Sequence, residues 1–213
     1  MKFSKYFLAP AISSLFLSAV VSTSAMSLGV GPIGGVNLGN ATIEGHSNTS
    51  MRTGLAMGVR AELGVTNPYS LMIEPTYVKK GADFTYGGGL LPEIKASGEL
   101  DYIEIPLLVK AKFGSQQMHL FVFAGPSLDI NLNAKGSIGS FSNTFEKEPA
   151  PLVFSGDIGG GLAYQLQRFV YLTADARYDY GFSNALKNPV GDIDSWKSRD
   201  IRMLLGVLVH LTE

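Results

Sequence analysis

Between Phe169 and Phe182 the chain reads FVYLTADARYDYGF, and its side chains sort by parity. Val170, Leu172, Ala174, Ala176, Tyr178, Tyr180 and Phe182 share one register, while Tyr171, Thr173, Asp175, Arg177 and Asp179 share the other. A β-strand sends successive side chains to opposite faces, so this segment is a strand with one oily side and one charged side. Its fourteen residues exceed the roughly five or six of an ordinary globular strand. They satisfy the alternation over about ten residues that a bilayer-crossing strand requires.

The pattern recurs along the chain. Strands are predicted near 27–39, 54–65, 70–80, 99–113, 118–133, 152–165, 169–182 and 199–212. Short turns at Thr66–Tyr69, Gly114–Gln117 and Leu166–Arg168 alternate with long connections at 40–53, 81–98, 134–151 and 183–198. Short turns on the periplasmic side and long extracellular loops are the layout of an outer-membrane barrel. The expected fold is all-β: an eight-stranded antiparallel up-and-down transmembrane β-barrel with both termini in the periplasm.

Charge follows the same parity. In the second strand Leu55, Met57, Val59, Ala61 and Leu63 oppose Arg60 and Glu62; in the fourth, Ile103, Ile105, Leu107, Val109, Ala111 and Phe113 oppose Glu104, Lys110 and Lys112. In the last, Ile201, Met203, Leu205, Val207, Val209 and Leu211 oppose Asp200 and Arg202. With Glu74, Lys80, Asp129, Asp157, Asp175, Arg177 and Asp179, fourteen charged residues on seven strands fall opposite the apolar register. A lipocalin-like calyx would turn its apolar register inward around a ligand. A membrane barrel does the reverse, because a basic residue facing mid-depth lipid costs about 2–4 kcal/mol. The strands are too long for a small calyx, the apolar register stays apolar to its ends, and aromatics gather there. Tyr77, Tyr178, Tyr180 and Phe182 belong to one rim, and Tyr69, Phe113, Tyr164 and Phe169 to the other. Outer-membrane lipid is therefore the expected surrounding.

An eight-stranded barrel has an interior that side chains can fill. The expected filling is ionic, with six basic residues (Arg60, Lys80, Lys110, Lys112, Arg177, Arg202) against eight acidic ones (Glu62, Glu74, Glu104, Asp129, Asp157, Asp175, Asp179, Asp200). Buried charges must pair, so this near-balance implies a structural network in a plugged lumen rather than a pore of porin size. Pro75, Pro106 and Pro126 fall inside strands that have no edge to hide them, and bulges are expected there.

The first 25 residues read as a secretory signal peptide, with basic Lys2 and Lys5, an apolar run from Tyr6 to Val21 and the small residues Thr23, Ser24 and Ala25 at a cleavage site. Residues 26–213 form the barrel domain, and cleavage takes the formal net charge from −1 to −3. No cysteine is present, which excludes a disulfide scaffold. A hydrophobic share of 46% with 25 glycines suits strands and turns. The near-neutral charge gives no footprint for nucleic acid.

Several segments resemble the PorT-like outer-membrane β-barrel family: GVGPIGGVNLGN (29–40), YIEIPLLVKAKF (102–113), FVFAGPSLDINLN (121–133), GDIGGGLAYQL (156–166) and YLTADARYDYGF (171–182). EIPLL and FAGPSL are the most specific of these pieces. The resemblance implies an eight-stranded barrel that tolerates proline at Pro106 and Pro126. It also implies delivery by the barrel insertion machinery, although this chain ends His210, Leu211, Thr212, Glu213 where such barrels often end in an aromatic residue. One branch of the family is associated with protein secretion, a role the resemblance does not carry over.

Signals for chemistry are weak. Gly29 to Gly34 fits GxGxxG, but a dinucleotide fingerprint needs a strand before it and a helix after it. Asp192 and Asp194 suggest a calcium loop that lacks glycine at its sixth place and glutamate at its twelfth, leaving only weak surface binding. His46 lies in an outer loop, whereas His119 and His210 lie near the periplasmic end, so no zinc cluster is expected. Asp175 and Asp179 share a strand face, where pairing with Arg177 and the lysines is expected before acid–base work. No catalytic residue, cofactor or metal is expected. The function this supports is a structural or interaction barrel whose outer loops, especially 81–98 and 134–151, meet an extracellular or envelope partner. The alternatives are an outer-surface enzyme acting on lipid or peptide through His46 with Ser47 or Ser50, and a soluble calyx.

Overall fold

The computed structural model describes residues 27–43, 49–86, 94–138, 150–183 and 196–211. Among the described residues there are nine strands: β1 (Leu28–Ile43), β2 (Thr49–Thr66), β3 (Tyr69–Ile73), β4 (Thr76–Tyr86), β5 (Ile94–Gly114), β6 (Met118–Ile138), β7 (Leu152–Gln167), β8 (Val170–Gly181) and β9 (Trp196–His210). All pairings are antiparallel, and β1 joins both β2 and β9, so the sheet closes on itself. β3 and β4 both lie between β2 and β5 and form one stave interrupted at Glu74–Pro75. The fold is thus the eight-stave up-and-down barrel implied by the alternation, and closure leaves no edge to template aggregation.

Burial follows parity around the ring. Outward Leu205 is 64% exposed, whereas inward Arg202 and Glu104 are fully buried. This contradicts the calyx reading, since the side that faces the axis carries the charge and the greasy side faces out. The aromatics stand where the two rims need rings with one wet edge. Tyr178, Tyr180 and Phe182 form an exposed ladder with centroids 6.5 and 5.3 Å apart. Arg199 lies 3.5 Å over the Tyr180 ring.

Strands at the loop end run further than expected. β5 and β6 remain paired from Gly114↔His119 up to Ala96↔Ile138, taking up parts of the segments read as loops at 81–98 and 134–151. Hydrophobic alternation marks only the length in contact with lipid, whereas ladder hydrogen bonding continues through polar residues in water. The signal peptide, His46, Ser47 and the Asp192–Asp194 motif lie outside the described residues.

The prolines are accommodated without the expected bulges. Pro75 falls in the break between β3 and β4, where Thr76 Oγ1 donates to the Glu74 carbonyl at 2.8 Å and Val59 N–H to the Pro75 carbonyl at 3.1 Å. Pro106 pairs with Ser127, Pro126 pairs with Gly156, and parity runs unchanged through both. The neighbouring pairs Ile73↔Leu107, Thr76↔Glu104 and Pro106↔Ser127 place all three prolines in one patch spanning β3/β4, β5 and β6. Three of the lost N–H donors are gathered there, and a fourth in-strand proline, Pro32, sits apart on β1 opposite Val59; the register shifts of the sheet fall elsewhere, at Gly64/Thr66, Met51/Ala56, Asp101/Tyr102 and Gln165/Gln167.

Packing explains one glycine of the GxGxxG match, Gly31, together with Gly35 just beyond it. A Cβ on Gly31 would lie 1.7 Å from the Val207 carbonyl oxygen, and one on Gly35 would lie 1.9 Å from that of Met203. Glycine lets β1 receive the β9 backbone at the seam where first and last strands meet.

Candidate functional site

The chemistry of this molecule is concentrated inside the barrel, where three tiers of charge follow from the positions of inward residues along their strands. Nearest the turns, Glu62 on β2 accepts from Lys110 Nζ at 2.7 Å, pairs with Lys112 and accepts from Ser70 Oγ at 2.9 Å. Lys110 lies 4.1 Å over the Phe121 ring. Lys112 stands at the mouth and is the one partly exposed member of the fourteen.

The middle tier is a closed cycle of alternating sign. Arg60 pairs with Glu74 and, at 2.6 Å, with Asp175; Arg177 pairs with the same two carboxylates at 2.6 and 2.8 Å. Thr173 Oγ1 accepts from Arg60 at 3.2 Å. Two guanidinium forks and two carboxylates balance charge, which is the first condition for burying ions; Arg177 Nη1 and Glu74 Oε2 meet as an ion pair without hydrogen-bond geometry. Asp175 is thereby committed to arginine, and Asp179 belongs to the tier above; the structure does not make them an acid–base pair.

The upper tier is centred on Lys80. Its Nζ lies 2.9 Å from Asp129, 3.0 Å from Asp179, 3.1 Å from Glu104 and 3.4 Å from Asp200. Arg202 grips Glu104 with both terminal nitrogens and donates Nε–H to Asn37 Oδ1 at 3.3 Å. Ser127 and Ser155 hydroxyls donate to Asp129, each at 3.1 Å, and Ser198 donates to Asp200 at 2.9 Å. Asp157 is 3% exposed, and neither of its carboxylate oxygens has a hydrogen-bond partner. With Glu104 and Asp179 it offers three oxygens within 4.8 Å of one another. The lower tier therefore carries one excess positive charge, the middle tier is neutral, and the upper tier sets five carboxylates against two cations.

The filling is not wholly ionic. Met72, Leu108, Phe121, Phe123 and Ala163 form a buried apolar cluster, and Ile33, Ala56, Val78 and Leu204 form another. Phe123 lies under the Arg177 guanidinium at 4.8 Å. These residues escaped the sequence reading because they sit in unbroken apolar runs such as Leu107–Val109 and Leu120–Ala124, where both registers are greasy and parity is invisible. The structure also brings His119 and His210 together, their rings 5.9 and 4.9 Å from that of Tyr171, beside a cavity of about 280 Å³ that Lys112 and Gln116 help to line. His119 on β6 and His210 on β9 are brought into one place by Tyr171 on β8, whose ring lies against both.

The model for outer membrane protein beta-barrel domains matches residues 22–187. No curated protein sequence matches the chain. Among solved structures, Neisserial surface protein A from Neisseria superposes with a TM-score of 0.53 at 16% identity, covering 87% of this chain and 99% of that one. The N-terminal β-barrel domain of OprF from Pseudomonas aeruginosa gives 0.44 at 13% identity over 88% and 100% of the two chains. Ail, the attachment invasion locus protein of Yersinia pestis, gives 0.39 at 14% over 86% and 97%. At these identities the likeness is one of fold, and the first superposition carries it.

Proposed function

The chain belongs to the family of outer membrane protein beta-barrel domains, and from that premise we propose that it is a plugged barrel whose work is structural or interactive and is done at its loop end. The carrying observation is the interior: thirteen of the fourteen lumen charges are buried, and phenylalanine, methionine and leucine fill much of the remaining space. A filled lumen supports holding a shape in the membrane over passing a solute. The charge network acts as the lock on strand register.

In this reading the turns and both termini face the periplasm, membrane lipid covers the outward register, and the barrel insertion machinery delivers the chain. The strands project past the lipid band at the loop end, forming a stiff platform for an extracellular or envelope partner. Membership in the PorT-like branch is supported by EIPLL and FAGPSL, which lie side by side through Ile105↔Leu128 and Pro106↔Ser127.

Electrophoresis of the outer-membrane fraction with and without boiling tests the barrel, which is expected to migrate faster before heating. Protease added to intact cells tests the orientation: cleavage is expected in the long connections and not at the turns. A chain found in the soluble fraction with no heat-dependent shift would overturn the proposal.

A further inference from the structure

We propose that Asp157, Asp179 and Glu104 hold a hard divalent cation inside the barrel. In the two lower tiers every carboxylate is paired with a cation, but in the upper one Asp157 is not. Asp157 on β7 and Asp179 on β8 are directly paired residues, and Asp179 is in turn paired with Asp200 on β9, which sets three inward carboxylates in a row. Lys80 reaches Asp179 through Oδ1 alone, leaving Asp179 Oδ2 without a partner, and both oxygens of Asp157 also lack one. Asp157 and Asp179 are at least 97% buried. Three buried carboxylate oxygens with no donor are a costly arrangement unless something positive sits among them.

The neighbouring cations are already engaged. Arg202 is committed to both oxygens of Glu104, and Arg177 to Glu74 and Asp175. Lys80 is shared among four carboxylates. Oxygens from Asp157, Asp179 and Glu104 approach within 4.8 Å of one another, a spread that a cation with oxygen ligands at about 2.3–2.6 Å can bridge. The donor set is purely carboxylate, without sulfur or imidazole, which selects calcium or magnesium over softer metals. One such ion removes two of the three excess negative charges and ties β5, β7 and β8 together.

The test uses the full chain refolded in detergent without lipopolysaccharide, stripped with EDTA and then given calcium or magnesium. Equilibrium dialysis is expected to show one ion bound per chain, and that ion is expected to raise the temperature at which the compact band converts on heating. Asp157→Asn is expected to lose both the bound ion and the shift, and in EDTA to outlast the native chain because an unpaired charge has gone. Asp200→Asn, whose carboxylate is satisfied by Lys80 and Ser198, is expected to keep both. Absence of a bound ion on the native chain, or undiminished binding in Asp157→Asn, overturns the site and leaves shared protons as the neutralising charge. The compact band in EDTA reports the barrel independently of the ion, so failure of the site and failure of the barrel proposal are distinguishable.

Discussion

Arg202 on β9 and Glu104 on β5 meet across the barrel axis in a two-pronged clasp, Nη1 to Oε1 at 2.8 Å and Nη2 to Oε2 at 2.7 Å. The two strands share no ladder, so the clasp is a strut between opposite walls rather than a neighbour contact. Glu104→Gln leaves Arg202 buried without its counter-charge. It is expected to cost about 3–5 kcal/mol, the scale for breaking a buried pair from one side. Replacing both partners with apolar residues of similar volume is expected to recover most of that loss. Urea unfolding of the two variants in lipid vesicles separates a strut that stabilises from one that mainly prevents a lone buried ion.

The charge cycle and the mouth should respond differently. Arg60→Met orphans one oxygen on each of Glu74 and Asp175 and is expected to fall in the same 3–5 kcal/mol range, about that of other one-sided losses. Lys112→Met removes a partly exposed partner of Glu62 while Lys110 remains, and is expected to cost about 1 kcal/mol or less. Equal losses in the two variants would remove the distinction between buried tiers and solvated mouth.

Depth in the bilayer offers an independent measurement. Leu205 lies at the centre of the outward apolar run Ile201–Val209 on β9, and Val65 lies beside the turn. Leu205→Arg is expected to destabilise the folded barrel by about 2–4 kcal/mol in vesicles, and Val65→Arg by about 0–1 kcal/mol. In detergent that wraps the barrel loosely, the gap between the two variants should narrow.

Which parts were legible in the sequence follows from what parity can report. Where one register is charged and the other greasy, as at Asp175, Arg177 and Asp179, a single strand reveals its faces, and seven such strands reveal the barrel. Where both registers are apolar, as around Phe121 and Phe123, nothing distinguishes lumen from lipid, and the apolar plugs went unseen. Strand ends above the lipid band were missed because water tolerates polar side chains on both faces. The tiers themselves were beyond reach. That Lys80 meets carboxylates from β5, β6, β8 and β9 depends on strand stagger, and one sequence carries no record of stagger until the pairings are known.

The seam between β1 and β9 is where closure can be tested most directly. Every other pair of neighbouring staves is linked by a chain connection, but these two find each other only by packing. The Met203 carbonyl oxygen occupies the place where a Cβ on Gly35 would stand, at 1.9 Å, whereas a Cβ on Gly34 meets only the Ala56 carbonyl at an ordinary 3.7 Å. Gly35→Val is therefore expected to leave chains that reach the membrane fraction without the heat-dependent compact band, while Gly34→Ala closes normally. The obstacle is backbone against side chain, so no rotamer change relieves it, and raising expression or adding divalent cation should not rescue the compact form. A compact Gly35→Val barrel with native unfolding behaviour would mean that the seam adopts a looser register than the one seen, with Gly31 and Gly35 serving no steric purpose.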